Sequence, residues 1–111
     1  MATEVMATRA DLQAVLAREH IGHHNGITAE LLALVLGCET RHVRVLVTEL
    51  RMEGVAVCGT PQEGYYIAQT ADELESTLAF LRSRAMRSLV LESRLRKLPL
   101  VELLGQLRIH T

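Results

Sequence analysis

Apolar residues fall three and four positions apart along most of this chain, and the breaks in that rhythm divide it into elements. Leu12, Val15 and Leu16, with Glu19 next in phase, predict a first helix over about Arg9–His20, ended by Gly22. Residues 1–8 carry no pattern and are expected to be loose. His23, His24, Asn25 and Gly26 read as a polar turn. Thr28 is placed to cap a second helix running to Leu36, whose Leu31, Leu32, Val35 and Leu36 are expected to face inward. Gly37 supplies the left-handed residue that a tight helix exit favours. Thr40 is the expected cap of a third helix reaching about Glu53, with Val43, Leu46, Val47 and Leu50 as its buried stripe and Gly54 as its stop.

The period then changes. Val55–Cys58 and Tyr65–Ala68 are short β-prone runs around the turn cluster Thr60–Gly64, which predicts a hairpin with a loop of several residues. Thr70 and Glu73 form a T-x-x-E capping box for a long helix over about Ala71–Leu95. Pro99 breaks it, and Leu100–Ile109 reads as a final short helix. The fold class expected is mainly α with a small β-hairpin. Residues 1–70 form one domain, and residues 71–111 form a C-terminal helical extension.

If Val43, Leu46, Val47 and Leu50 are buried, the third helix turns Arg41, His42, Arg44, Val45 and Thr48 outward. Arg41 and Arg44 are three apart and point the same way. Arginine suits guanine, because two N–H groups meet O6 and N7 together. The competing reading is a solvated face in which these arginines pair with Glu39 or Glu49. The run "ITAELLALVLGCETRHVRVLVTELRMEGVAV" followed by "GYYIA" resembles bacterial and phage winged helix-turn-helix regulators. It looks most like the DNA-binding domain of the biotin-operon-repressor type. The shared pattern is a helix ending in Leu-Gly, a helix of the form R-x-V-R-x-x-V-x-x-L-R, a glycine, a strand and a Gly-Tyr return strand; it covers residues 26–70. The resemblance implies a winged helix-turn-helix in which the Thr40–Arg51 helix is the recognition helix. Arg41, His42, Arg44 and Thr48 would then contact bases, and Thr28, Thr40 and Arg51 phosphates. One departure stands out. Wings that touch DNA usually carry Arg or Lys, whereas this turn offers Thr60, Gln62 and Glu63.

Composition narrows the choice. The 111 residues carry a net charge of −1, so any DNA affinity has to come from local patches. One patch is plain. Between Arg82 and Lys97 six basic residues stand against Glu92 alone. Arg82, Arg84 and Arg87 are candidates for phosphate contact, for snorkelling over apolar surface, or for pairing with Asp72, Glu75 and Glu102 of another subunit. Leu74, Leu78, Leu81, Ala85 and Leu89 recur along the long helix as a candidate dimer seam, the alternative being burial in the chain's own core. Phe80, Met86, Val90 and Leu91 add more apolar surface than one stripe needs.

Catalysis finds little support, since there is no phosphate-binding glycine loop, nucleophile elbow or paired carboxylates. His20, His23, His24, Cys38 and His42 match no established metal-site spacing, so no metal or cofactor is expected. Cys38 and Cys58 read as free thiols, and no run of apolar residues is long enough for a membrane span. The sequence therefore predicts a cytoplasmic, homodimeric regulator of transcription that binds double-stranded DNA and is not an enzyme. The alternatives are a winged-helix protein-interaction module with an unknown protein partner, and a replication or partition accessory factor.

Overall fold

The computed structural model describes residues 6–107, so residues 1–5 and the last two positions of the predicted final helix lie outside the described residues. It is mainly helical with one two-stranded antiparallel hairpin. In order come α1 (Arg9–Glu19), a 3-10 turn (His23–Asn25), α2 (Ala29–Leu36), α3 (Thr40–Met52), β1 (Val57–Thr60), β2 (Gly64–Ile67), α4 (Ala71–Arg96) and α5 (Leu100–Leu107). Two compact units are present, residues 1–77 and 78–111.

In the first unit Leu12 and Leu16 of α1, Leu32 of α2, the Val43–Leu46–Val47–Leu50 stripe of α3, Val57 and Tyr65 make one apolar cluster. The α3 stripe is as the spacing predicts. On α2 the inward face is different: Ala29, Leu32 and Ala33 are buried, while Leu31 and Val35 are 53% and 60% exposed. Leu36 is half-buried against the core. The two buried alanines are small enough for α2 to lie close to its neighbours, which larger side chains would prevent.

Helix ends explain several boundaries. Thr8 and Asp11 form a reciprocal capping box at α1 that the sequence reading passes over. Thr28 caps α2, its hydroxyl accepting from Leu31 N–H at 3.3 Å. Gly37 is left-handed, with φ 69°, and its N–H donates to Ala33. Thr40 is already helical, so the cap position of α3 falls on Glu39, which makes no side-chain capping bond.

The hairpin pairs Val57 with Ile67 and Thr60 with Gly64, two residues later in β1 and one earlier in β2 than the β-prone runs suggest. The chain between α1 and α2 adds to it. Ile27 exchanges both backbone bonds with Tyr65 (2.9 and 2.7 Å), and Ile67 N–H donates to His20 C=O at 2.9 Å. The first unit reaches past residue 70 because the start of α4 is bonded into it. Glu73 accepts from the backbone N–H groups of Gln69, Thr70 and His23. The Thr77 hydroxyl accepts from Gly59 N–H at 3.2 Å.

In the second unit every residue from 78 to 88 is exposed. The seam residues Leu78 and Leu81 are 45% and 37% exposed, Ala85 is also exposed, and Leu74 and Leu89 are half-buried. α4 ends at Arg96; the next residue, Lys97, takes φ 56°, and Leu98 N–H closes back onto Ser93 C=O at 2.9 Å. That closure satisfies the orphan carbonyls of the last turn. Leu103 of α5 is buried. Among the described residues no helix is long and apolar enough to cross a membrane.

Candidate nucleic-acid interface

The three residues Gly37, Cys38 and Glu39 separate α2 from α3, and the strongly amphipathic α3 buries one face completely. Its opposite face is therefore fixed in orientation. Arg41, Arg44, Val45 and Thr48 are exposed there and, with half-buried Glu49, line a shallow groove of about 490 Å³. Among the described residues neither arginine takes part in an ion pair; the pairs are Arg9–Glu53 and Arg96–Glu92. The pairing with Glu39 or Glu49 is not formed, which leaves both guanidinium groups free to meet a ligand. The Thr48 hydroxyl donates to Arg44 C=O at 3.1 Å, which leaves its oxygen able to accept and its methyl on the surface.

A second groove, about 350 Å³, lies beside the first and shares Arg44. Thr28, Ala29, Glu30, Thr40, Pro61 and Gln62 complete its lining, so Thr28, Thr40 and Arg44 converge although they are distant in sequence. The hairpin tip takes part because Pro61 C=O accepts from Ala29 N–H at 3.0 Å. That bond satisfies a free donor at the start of α2 and holds the tip against the helix. Glu30 and Gln62 are groove residues that sequence reasoning missed. Gln62 is brought there by non-local backbone bonds, Ala29 to Pro61 and Ile27 to Tyr65, that no spacing encodes.

Two expected contacts have other partners. His42 is turned to the side, and its Nε2 donates to Ala7 C=O at 2.8 Å, tying the segment before α1 to α3. Its helical phase places it between the outward and buried faces, where that carbonyl claims the ring. Arg51 does not reach outward to phosphate. Its Nε donates to Val57 C=O at 2.8 Å and a terminal nitrogen to Gly59 C=O at 3.1 Å. The guanidinium also lies 5.9 Å from the centre of the Tyr65 ring. Burial pulls the Arg51 pKa down, and the neighbouring Tyr65 and Cys58 push it back up. Burial raises the Tyr65 pKa, which Arg51 and then Arg44 oppose. Arg51 is thus a bolt between the end of α3 and β1.

Arg82, Arg84 and Arg87 are exposed on α4 in the second unit, with Arg84 5.8 Å from the centre of the Phe80 ring one turn back. The histidines of the 20–25 segment are engaged locally. His20 Nδ1 donates to Asn25 C=O at 2.6 Å, and His23 packs edge-on against Tyr66. Among the described residues no three His, Cys, Asp or Glu side chains cluster to hold a metal ion. Comparison with family models, curated proteins and solved structures finds no match to this chain.

Proposed function

We propose that this protein is a winged helix-turn-helix regulator of transcription that binds double-stranded DNA sequence-specifically as a homodimer, with α3 as the recognition helix. The observation that carries the reading is the outer face of α3. Arg41, Arg44 and Thr48 share one exposed strip, and among the described residues both arginines lack an acidic partner. A helix presented this way fits the major groove, where each bidentate arginine–guanine pair contributes about 1–3 kcal/mol of discrimination. Thr28 and Thr40 stand beside Arg44 in one groove, where two hydroxyls and a guanidinium are suited to a flanking phosphate. A homodimer would read two half-sites about one helical turn apart. The hairpin tip, with Gln62 and Glu63 and no cation, contributes little to phosphate binding.

Selection of bound fragments from a random duplex pool at physiological salt tests this. An enriched inverted repeat is the expected outcome, and Arg44→Ala should lower affinity for it by about 1–3 kcal/mol while relaxing one base position. Unchanged site binding by Arg41→Ala and Arg44→Ala together would sink the recognition-helix assignment. Salt-sensitive binding without enrichment would favour the replication or partition role. A protein-interaction module is the second reading, favoured by Leu31, Leu34 and Val35, which leave an apolar patch exposed on α2. Such a module should ignore duplex DNA even at low salt, where a DNA binder gains affinity steeply.

A further inference from the structure

The outer strip of α3 carries apolar surface as well as charge. Val45 is 48% exposed and lines the same groove as Arg41, Arg44 and Thr48. The Thr48 hydroxyl is turned back onto the helix, donating to Arg44 C=O at 3.1 Å, the back-bonded form that threonine takes inside helices. That leaves the Thr48 methyl as the outward end of the side chain. Each methyl carrier follows an arginine by four residues, Val45 after Arg41 and Thr48 after Arg44, so each stands one turn beyond a guanidinium on the same side of the helix. Val45 and Thr48 are separated by about 4.5 Å along the axis, close to the step of about 3.4 Å between neighbouring bases on one strand. Half-buried Glu49 completes the lining of the groove, and its carboxylate repels phosphate. Base edges therefore suit this strip better than backbone.

In the major groove guanine offers two acceptors, and thymine is distinguished by a C5 methyl that apolar side chains and threonine methyls contact. We infer that Val45 and Thr48 determine specificity by packing on the C5 methyl of a pyrimidine next to a guanine held by Arg41 or Arg44. The ligand is then a 5-methylpyrimidine–guanine step in duplex DNA, and the methyl can belong to thymine or to 5-methylcytosine. A branched apolar side chain adds nothing to an arginine-only contact, whereas against a methyl group both surfaces leave water. This inference rests on α3 being the recognition helix and adds which bases the strip selects beyond guanine.

The site enriched by selection from random duplex DNA supplies the probe, and the full-length chain is used throughout. Deoxyuridine in place of each thymine beside a guanine removes the methyl and nothing else. Affinity should fall about threefold to fivefold at one or two of those positions, as expected for one buried methyl. Cytosine and 5-methylcytosine at the sensitive position separate the two sources: a preference for the methylated base by the same factor makes it a ligand too, and equal binding confines recognition to thymine. Val45→Ala combined with Thr48→Ser, which keeps the hydroxyl bond and removes the methyl, should bind thymine and deoxyuridine sites equally while retaining the guanines. Both replacements lie on exposed surface, so the buried stripe of α3 is untouched. A site without thymine beside guanine, deoxyuridine that is neutral at every position, or a double variant that still discriminates would each overturn this inference and leave the arginine contacts standing. No enriched site at all would overturn it together with the recognition-helix reading.

Discussion

Replacing Arg51 with methionine separates two roles that the same arginine could have. In the structure its guanidinium donates to Val57 C=O at 2.8 Å and Gly59 C=O at 3.1 Å and lies over Tyr65. Methionine keeps the apolar stem and removes both donors. Two hydrogen bonds from a charged donor at about 1.5–3 kcal/mol each set an upper limit of about 6 kcal/mol. Relief of the half-buried charge offsets part of this, since removing a desolvated ion recovers its hydration cost, leaving a net loss of about 2–3 kcal/mol. In a unit of this size that is a fall in melting temperature of roughly 8–24 °C. Arg51→Lys, with one nitrogen in place of the two that now donate, keeps one of the two bonds at best and should fall about midway. Thermal and urea melts followed by far-ultraviolet circular dichroism, at matched protein concentration, read the effect. A methionine variant within about 0.5 kcal/mol of the parent would refute the bolt. So would a variant of unchanged stability that loses salt-sensitive DNA affinity, which is the signature of a phosphate contact.

Gly59→Ala should be among the most damaging small changes. Its φ is +90° and an added Cβ would stand 1.9 Å from Gly64 C=O, so a loss of about 3 kcal/mol or more in thermal melts is expected. His42→Gln should cost about 1 kcal/mol by loosening the bond to Ala7 while leaving the selected DNA sequence unchanged; a shift in sequence preference would return His42 to the base-reading set. Glu73 gives the fold an acid limit. The backbone N–H of His23, then that of Gln69, holds its carboxyl below the usual range. A depressed folded pKa means stability that is fully present above the unfolded value, near pH 4.3, and is lost as pH falls through the folded one. Glu73→Gln should flatten melting temperature against pH in that window, and an identical profile for the variant would refute the role.

How much was legible in the sequence differs by element. α3 could be read outright because polar residues on one side fix the phase of Val43, Leu46, Val47 and Leu50. α2 could not, because Ala-Glu-Leu-Leu-Ala-Leu-Val-Leu is apolar nearly all round and offers no unique inward face. Of the large side chains expected in the core only Leu32 is fully buried, and Ala29 and Ala33 join it. The Thr70–Glu73 capping box was legible because both partners are local, and the bond from Glu73 to His23 was not, since it spans fifty residues. The edge formed by Ile21 and Ile27 against β2 comes as isolated bridges around a 3-10 turn, so no alternating run announces it. The same limit governs the site. Arg41, Arg44 and Thr48 lie where helical phase puts them, whereas His42 and Arg51 are claimed by backbone carbonyls that composition cannot locate.

The chain has two tyrosines and no tryptophan, and both tyrosines are neighbours in β2. Tyr65 belongs to the buried cluster beneath Arg51, and Tyr66 meets His23 on the other side of the strand. Intrinsic emission of the whole protein is therefore a label that the hairpin already carries, with one reporter on each of its faces. Stopped-flow mixing with unlabelled DNA could time any rearrangement of the hairpin against the DNA binding proposed for α3, without a dye or an engineered residue.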